Sequence, residues 1–168
     1  MLNPNRNKEW NREEIENELK SKLGIESVFW LGSGIEGDDT DGHIDDMVRF
    51  VKEDAVVSIV EENPRSPHYR VLAENNERLG HMRTVAGSRV EVIPLPMPDP
   101  ILVQDWRLEQ LPASYANFLI VNDAVIVPIF MQERNDDRAL GILREAFPGK
   151  KVCGVDARLL VVEGGAIH

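Results

Sequence analysis

The sequence predicts an α/β fold assembled from two ββαβ units, and three observations carry that prediction. Short apolar runs rich in Val and Ile, bounded by Gly, Pro, Asn or Asp, alternate with longer stretches of helical periodicity. The order strand, strand, helix, strand occurs twice, with a 70-residue offset at its start (position 117 against 47). A chain of 168 residues with 42% hydrophobic and 29% charged content is long enough for one domain with a sizeable core and has an ordinary globular composition.

The elements follow in order. Asn11 is an N-cap, with Glu14 closing a capping box; Ile15, Leu19 and Leu23 then recur every four residues, and Gly24 stops the helix. "SVFWL" (27–31) reads as a short strand. "MVRFV" (47–51) and "AVVSIV" (55–60) are strands on either side of the turn "KED". Residues 66–86 read as a helix with Tyr69, Leu72, Ala73, Met82 and Val85 inward, and "RVEVIPLP" (89–96) as a strand ended by "PMPDP". "NFLIV" (117–121) and "AVIVPIF" (124–130) flank Asn122–Asp123, a two-residue hairpin turn. Residues 136–147 form a helix with Ala139, Leu140, Leu143 and Phe147 on one face, followed by the strand "KVCGV" (151–155). The two units share little sequence, so the repeat rests on pattern alone. Sheets of this size do not cover themselves, which suggests an array or propeller-like assembly. An α+β sandwich with a coincidental echo is the alternative.

Charge narrows the partners. With 29 acidic and 19 basic residues the formal charge is −10, and no Lys/Arg cluster is present to neutralise phosphates, so a nucleic-acid partner is not expected. The acidic field serves solubility and mildly favours a cationic ligand. No run approaches the ~20 apolar residues of a membrane span, and "MLNPNRNKEW" lacks the apolar core of a signal peptide. The expected location is cytoplasmic, without membrane attachment. The single cysteine, Cys153, excludes an intrachain disulfide and fits a reducing compartment; in "KKVCGVD" it reads as a buried structural thiol and not as a nucleophile.

The densest chemistry is "GIEGDDTDGHIDD" (34–46), with five Asp, one Glu and one His among three Gly. A calcium loop with Gly42 at its sixth position takes Asp39, Asp41 and Ile44 at the third, fifth and eighth. It then puts Gly37 and Val48 where the two terminal acids belong, and fails. His43 and Asp45 lack a third ligand for a transition metal, so no metal is expected. His68 and His81, thirteen residues apart on a predicted helix, diverge and read as surface residues. A solvated turn and a catalytic cradle both remain open. The flanking runs "VFWLGSGI" and "MVRFV" bring some carboxylates near buried backbone, where they need a cation or several N–H donors. If His43-Ile44-Asp45 is extended, the imidazole and carboxylate face one side and Ile44 the core. Such a pair offers a general acid/base and a carboxylate matched to a planar guanidinium.

Four motifs in order, "LNPNRN", "GDDTDGHIDD", "LPASYANF" and "DARLLVVEGGAIH", make the chain resemble the agmatine deiminase family of guanidine-group hydrolases from about Leu2 to His168. Bacterial-type peptidylarginine deiminases share this framework. The resemblance implies a pentein fold, a propeller of five ββαβ units around a central active site, of which residues 1–168 hold about two. It implies no metal or organic cofactor. It also implies a Cys thiolate that attacks the guanidinium carbon, releases ammonia and leaves an amidino thioether for water to hydrolyse. Agmatine becomes N-carbamoylputrescine. By the same resemblance His43 is the general acid/base and Asp45 grips the guanidinium nitrogens. The resemblance carries no chemical role onto Asp38, Asp39 and Asp41. They are expected to order the loop through backbone N–H bonds, with Asp39 or Asp41 touching substrate or orienting His43. The family's cysteine follows the "GGAIH" motif, where this sequence ends, and the family's N-terminal half would precede Met1. The chain is therefore expected to be the C-terminal portion of a deiminase, inactive by itself and prone to self-association through exposed strand edges. A portion of a peptidylarginine deiminase, or a non-catalytic protein that binds guanidines, are the other readings.

Overall fold

The computed structural model describes residues 1–2, 7–35, 42–103 and 110–168. Helix α1 (Arg12–Leu23) begins with the expected reciprocal cap: Glu14 N–H donates to Asn11 Oδ1 at 3.0 Å, and Asn11 N–H to Glu14 Oε2 at 2.7 Å. Gly24, at φ 65°, closes it by donating to the Lys20 carbonyl. The helix buries Ile15, whereas Leu23 is exposed, so its apolar contact is narrower than the spacing of its leucines suggests. Residues 27–31, expected as a strand, are not in one, and among the described residues no strand pairs with them.

The two ββαβ units are built alike. In the first, β1 (Val48–Lys52) pairs antiparallel with β2 (Ala55–Val60), and α2 (His68–Gly80) carries the chain to β3 (Glu91–Pro96), parallel to β2. In the second, β4 (Leu119–Val121) pairs antiparallel with β5 (Ala124–Ile129), and α3 (Glu133–Ala146) leads to β6 (Lys151–Asp156), parallel to β5. Each central strand is the apolar one. Val56, Val57 and Ile59 are fully buried in β2, as are Val125 and Val127 in β5, as expected of strands covered on both faces. Pro128 is tolerated in central β5 because the shorter β4 pairs only as far as Ile126, so no ladder hydrogen bond is required of it on that side. Asn122, at φ 38°, makes the tight β4–β5 turn.

Several element boundaries depart from expectation, α2 most of all. It ends at Gly80, and residues 81–90 turn back with Arg83 bridged to Arg89. Its buried positions are His68, Leu72, Asn75 and Leu79, a helical stripe of which half is polar. Ala73, Tyr69 and Val85 are exposed, and Met82 is half-buried. An apolar-only periodicity therefore found Leu72 and missed the polar half of the stripe. His68 is not a surface residue: it is 2% exposed, with its Nε2 atom 2.7 Å from Gln110 Nε2. His81 is exposed. Helix α3 starts three residues earlier than expected, and Ala139, Leu140 and Leu143 do face the core, with Phe147 just past its end.

The connector between β3 and β4 joins the units into one core. Tyr115 and Phe118 are fully buried within a single cluster that takes in Val57 and Leu72 from the first unit and Val127 and Leu143 from the second. Phe118 meets Phe147 edge-on at 5.5 Å. Among the described residues no helix is long and apolar enough to cross a membrane. Cys153 on β6 is half-buried, less enclosed than its apolar run suggested, because β6 is an edge strand.

Candidate functional site

Gly42, at φ 89°, adopts a conformation open mainly to glycine and leads into His43, whose backbone is extended. Ile44–Asp46 then form a single 3₁₀ turn, closed by Met47 N–H on the Ile44 carbonyl at 3.0 Å. The expected extended His43-Ile44-Asp45 geometry is thus not what forms. Ile44 is 53% exposed, and it is Asp46 and Met47 that turn inward. A buried carboxylate requires donors, and the β3–β4 connector supplies one to Asp46.

That donor is Asn117. Its Nδ2 donates to Asp45 Oδ2 at 2.9 Å and to Asp46 Oδ1 at 3.0 Å. Its Oδ1 accepts the backbone N–H groups of Ala166, Ile167 and His168 at 3.3, 3.0 and 3.1 Å. One buried carboxamide therefore ties the acidic turn to the 166–168 segment. Ser114 adds a second tie, its hydroxyl donating to the Asp46 carbonyl at 2.7 Å. The same Asp45 Oδ2 atom lies 2.9 Å from His168 Nδ1. An ionised carboxylate only accepts, so the imidazole proton of this contact sits on Nδ1.

Arg49, the second residue of β1, lies behind the turn. Its Nη1 donates to the Phe118 carbonyl at 2.9 Å, and its guanidinium stacks over the Phe118 ring at 4.8 Å. Burial lowers its pKa from the ordinary arginine value, and the nearby charge of Asp45 acts in the opposite direction. Asp45 thus stands in the field of an internal cation.

In front of the turn is a cavity of about 670 Å³. His43, Asp45 and His168 line it, together with Val28–Gly34, Met1 and Leu2 and other residues of the acidic turn. The two stems of the acidic loop touch at its rim: a Cβ added to Gly34 would fall 2.7 Å from Gly42 Cα. Two of the expected site residues, His43 and Asp45, are brought to this lining. Asp39 and Asp41, together with Asp38, lie outside the described residues.

The arrangement offers an imidazole, a positioned carboxylate and a second imidazole on the lining of a partly apolar cavity, which suits a small cation with an aliphatic tail. Among the described residues no group of three or more His, Cys, Asp or Glu is disposed to hold a metal ion. Sequence reasoning missed Asp46, Ser114, Asn117 and Arg49, and gave His168 no role although it closes the motif "GGAIH". A signal for Asn117 was present: it is a lone amide in the apolar run "YANFLIV", and a polar side chain in such a run has a partner.

The chain is similar to known deiminases over its whole length. The agmatine deiminase of Medicago truncatula is 36% identical over all of this chain and half of its own length. A substrate-bound agmatine deiminase of C. jejuni superposes with a TM-score of 0.90 at 34% identity, over 99% of this chain and 47% of its own. The Enterococcus faecalis agmatine deiminase gives 0.90 at 35% identity, over 97% and 48%. The chain spans about half the length of the curated relatives it matches. Its two ββαβ units are units of the pentein fold those structures share. The Porphyromonas-type peptidyl-arginine deiminase family matches residues 1–168 from end to end, and the chain belongs to that family.

Proposed function

We propose that these residues form the guanidinium-recognising part of an agmatine deiminase. The observation that carries this reading is the placement of Asp45, fixed by Asn117 and His168 on the lining of the same cavity as His43. In this reading Asp45 receives the N–H groups of the substrate guanidinium, and His43 moves protons to the leaving ammonia and from the attacking water. The product would be N-carbamoylputrescine, an intermediate of putrescine formation. The similarity to agmatine deiminases supports agmatine as the ligand.

The covalent step needs a thiolate. Cys153 is on β6 and is not among the described residues that line the cavity, so residues 1–168 alone should bind agmatine without releasing ammonia. Exposed Phe50 on β1 and Ile120 on β4, with unpaired strand edges, favour self-association, which light scattering over a concentration series would read. A reducing, cytoplasmic setting suits the single thiol.

Calorimetric titration of agmatine into the chain and into Asp45→Asn tests the core of the proposal. Affinity should fall roughly tenfold or more, as expected for a lost charge-assisted contact. Equal affinities would remove Asp45 from the site. A second reading, recognition of peptidyl-arginine, draws on the description of the matched family. An arginine-containing peptide that outcompetes agmatine would favour it.

A further inference from the structure

Trp30–Gly34 form one wall of the cavity although they belong to no sheet, and a wall of irregular backbone needs something to fix it. Asn75 of α2 supplies this. Its Oδ1 accepts the Gly32 N–H at 2.7 Å, and its Nδ2 donates to the Ser33 carbonyl at 2.9 Å. The carboxamide gives this stretch a donor and an acceptor that a neighbouring strand would otherwise provide. The same Nδ2 lies 3.6 Å from the Sδ atom of Met47, the residue that closes the Ile44–Asp46 turn. Asn75 is 1% exposed, so water does not replace these contacts. The fit is close from the wall side as well, since a Cβ on Gly32 would lie 3.2 Å from Asn75 Oδ1.

We propose that Asn75 is a positioning residue for the guanidine site: from helix α2, its one side chain sets the Gly32–Ser33 wall against the turn that carries Asp45. The inference rests on the agmatine-binding reading for its functional consequence, and on the geometry alone for its structural one. Its neighbour Asn76 is a built-in control. The Asn76 amide donates to the Ile59 and Leu72 carbonyls, which ties the helix to β2 and to itself and touches neither cavity wall.

The experiment compares Asn75→Leu, the milder Asn75→Ser, Gly32→Ala and Asn76→Ala in the 1–168 chain. Amide hydrogen exchange at Gly32, agmatine affinity and thermal stability are read for each. Both Asn75 variants should speed Gly32 exchange, and they and Gly32→Ala should weaken agmatine binding about tenfold or more, as displaced binding groups do. Asn76→Ala should lower the melting temperature with agmatine affinity kept. If Asn75→Leu fails to fold, Asn75→Ser and Gly32→Ala probe the same contact. Wild-type agmatine affinity in folded Asn75→Ser and Gly32→Ala would overturn the positioning role. If the wild-type chain binds no agmatine, the functional reading fails by itself, and unchanged Gly32 exchange in the Asn75 variants would overturn the structural claim independently.

Discussion

His168 Nδ1 and Asp45 Oδ2 meet at 2.9 Å across 123 positions of sequence, and Asn117 holds both ends of that contact. The pair shows how the site is made: neither segment lies in an α-helix or a strand, and each is fixed by a side chain from a third. The consequences can be tested at the residues that do the fixing.

Asn117→Leu removes the donor to Asp45 and Asp46 and the acceptor of three backbone N–H groups while keeping side-chain volume. Asp46 is 5% exposed, so its loss of a donor is not repaired by bulk water. The expected destabilisation is about 1–3 kcal/mol, the usual penalty for removing a hydrogen-bond partner from buried polar groups. Urea denaturation measures it. Hydrogen exchange should also quicken at Ala166, Ile167 and His168, and protection there equal to wild type would show that Asn117 is not their anchor.

Gly34→Ala tests the contact between the loop stems. The added Cβ would stand 2.7 Å from Gly42 Cα, which is backbone and cannot swing aside as a side chain can. One stem must move, and the stems frame the cavity rim beside His43. A loss of roughly 1–3 kcal/mol is expected, in the range of overpacked sites. The His43 ring resonances should shift with it. Unaltered stability and shifts would mean that the stems are not in contact.

How much of this was legible in the sequence depends on which force placed each residue. The central strands β2 and β5 were readable because burial on both faces demands continuous apolar runs, and "AVVSIV" and "AVIVPI" are such runs. The cap at Asn11 and the Asn122–Asp123 turn were readable because local chemistry alone decides them. The inner face of α2 was not, because His68 and Asn75 hold buried positions by hydrogen bonding and an apolar pattern passes over them. The 3₁₀ turn at Ile44–Asp46 was hidden for a similar reason. It depends on Asn117, 71 residues beyond Asp46, and no local window contains both. His43 and Asp45 were singled out by residue type and motif, whereas Asn117, which holds Asp45, comes from a distant segment.

Arg49→Lys distinguishes a guanidinium from a bare charge. Arg49 donates to the Phe118 carbonyl with its guanidinium carbon 4.8 Å from the Phe118 ring centroid, and an ammonium cannot offer the same fork of donors and delocalised cation there. The substitution should cost about 1 kcal/mol in denaturation experiments, in line with one lost half-buried hydrogen bond. No loss of stability would show that charge alone matters at this position.

The buried Tyr115–Asp136 pair sets an alkaline limit on the fold. Tyr115 Oη donates to Asp136 Oδ1 at 2.6 Å, and Asp136 also accepts the N–H groups of Phe130 and Gln132 at the start of α3. Burial pushes the phenol pKa well above its ordinary value, and the hydrogen bond to Asp136 and its charge push the same way. In the unfolded chain the phenol titrates near ~10. A group whose folded pKa is raised contributes stability that is complete below the unfolded value and is lost progressively as pH climbs towards the folded one. Tyr115→Phe should therefore be less stable than wild type by about 1 kcal/mol at neutral pH, since Asp136 keeps two donors. The gap should narrow as pH rises above ~10, where only the unfolded wild-type chain gains from releasing the proton. Urea denaturation of both proteins across that range reads the gap. In a Tyr69→Phe background, which leaves Tyr115 as the only phenol of the two tyrosines, phenolate absorbance should rise only as the chain unfolds. A phenolate step near ~10 in the folded protein would show that the hydroxyl is not held as the structure places it.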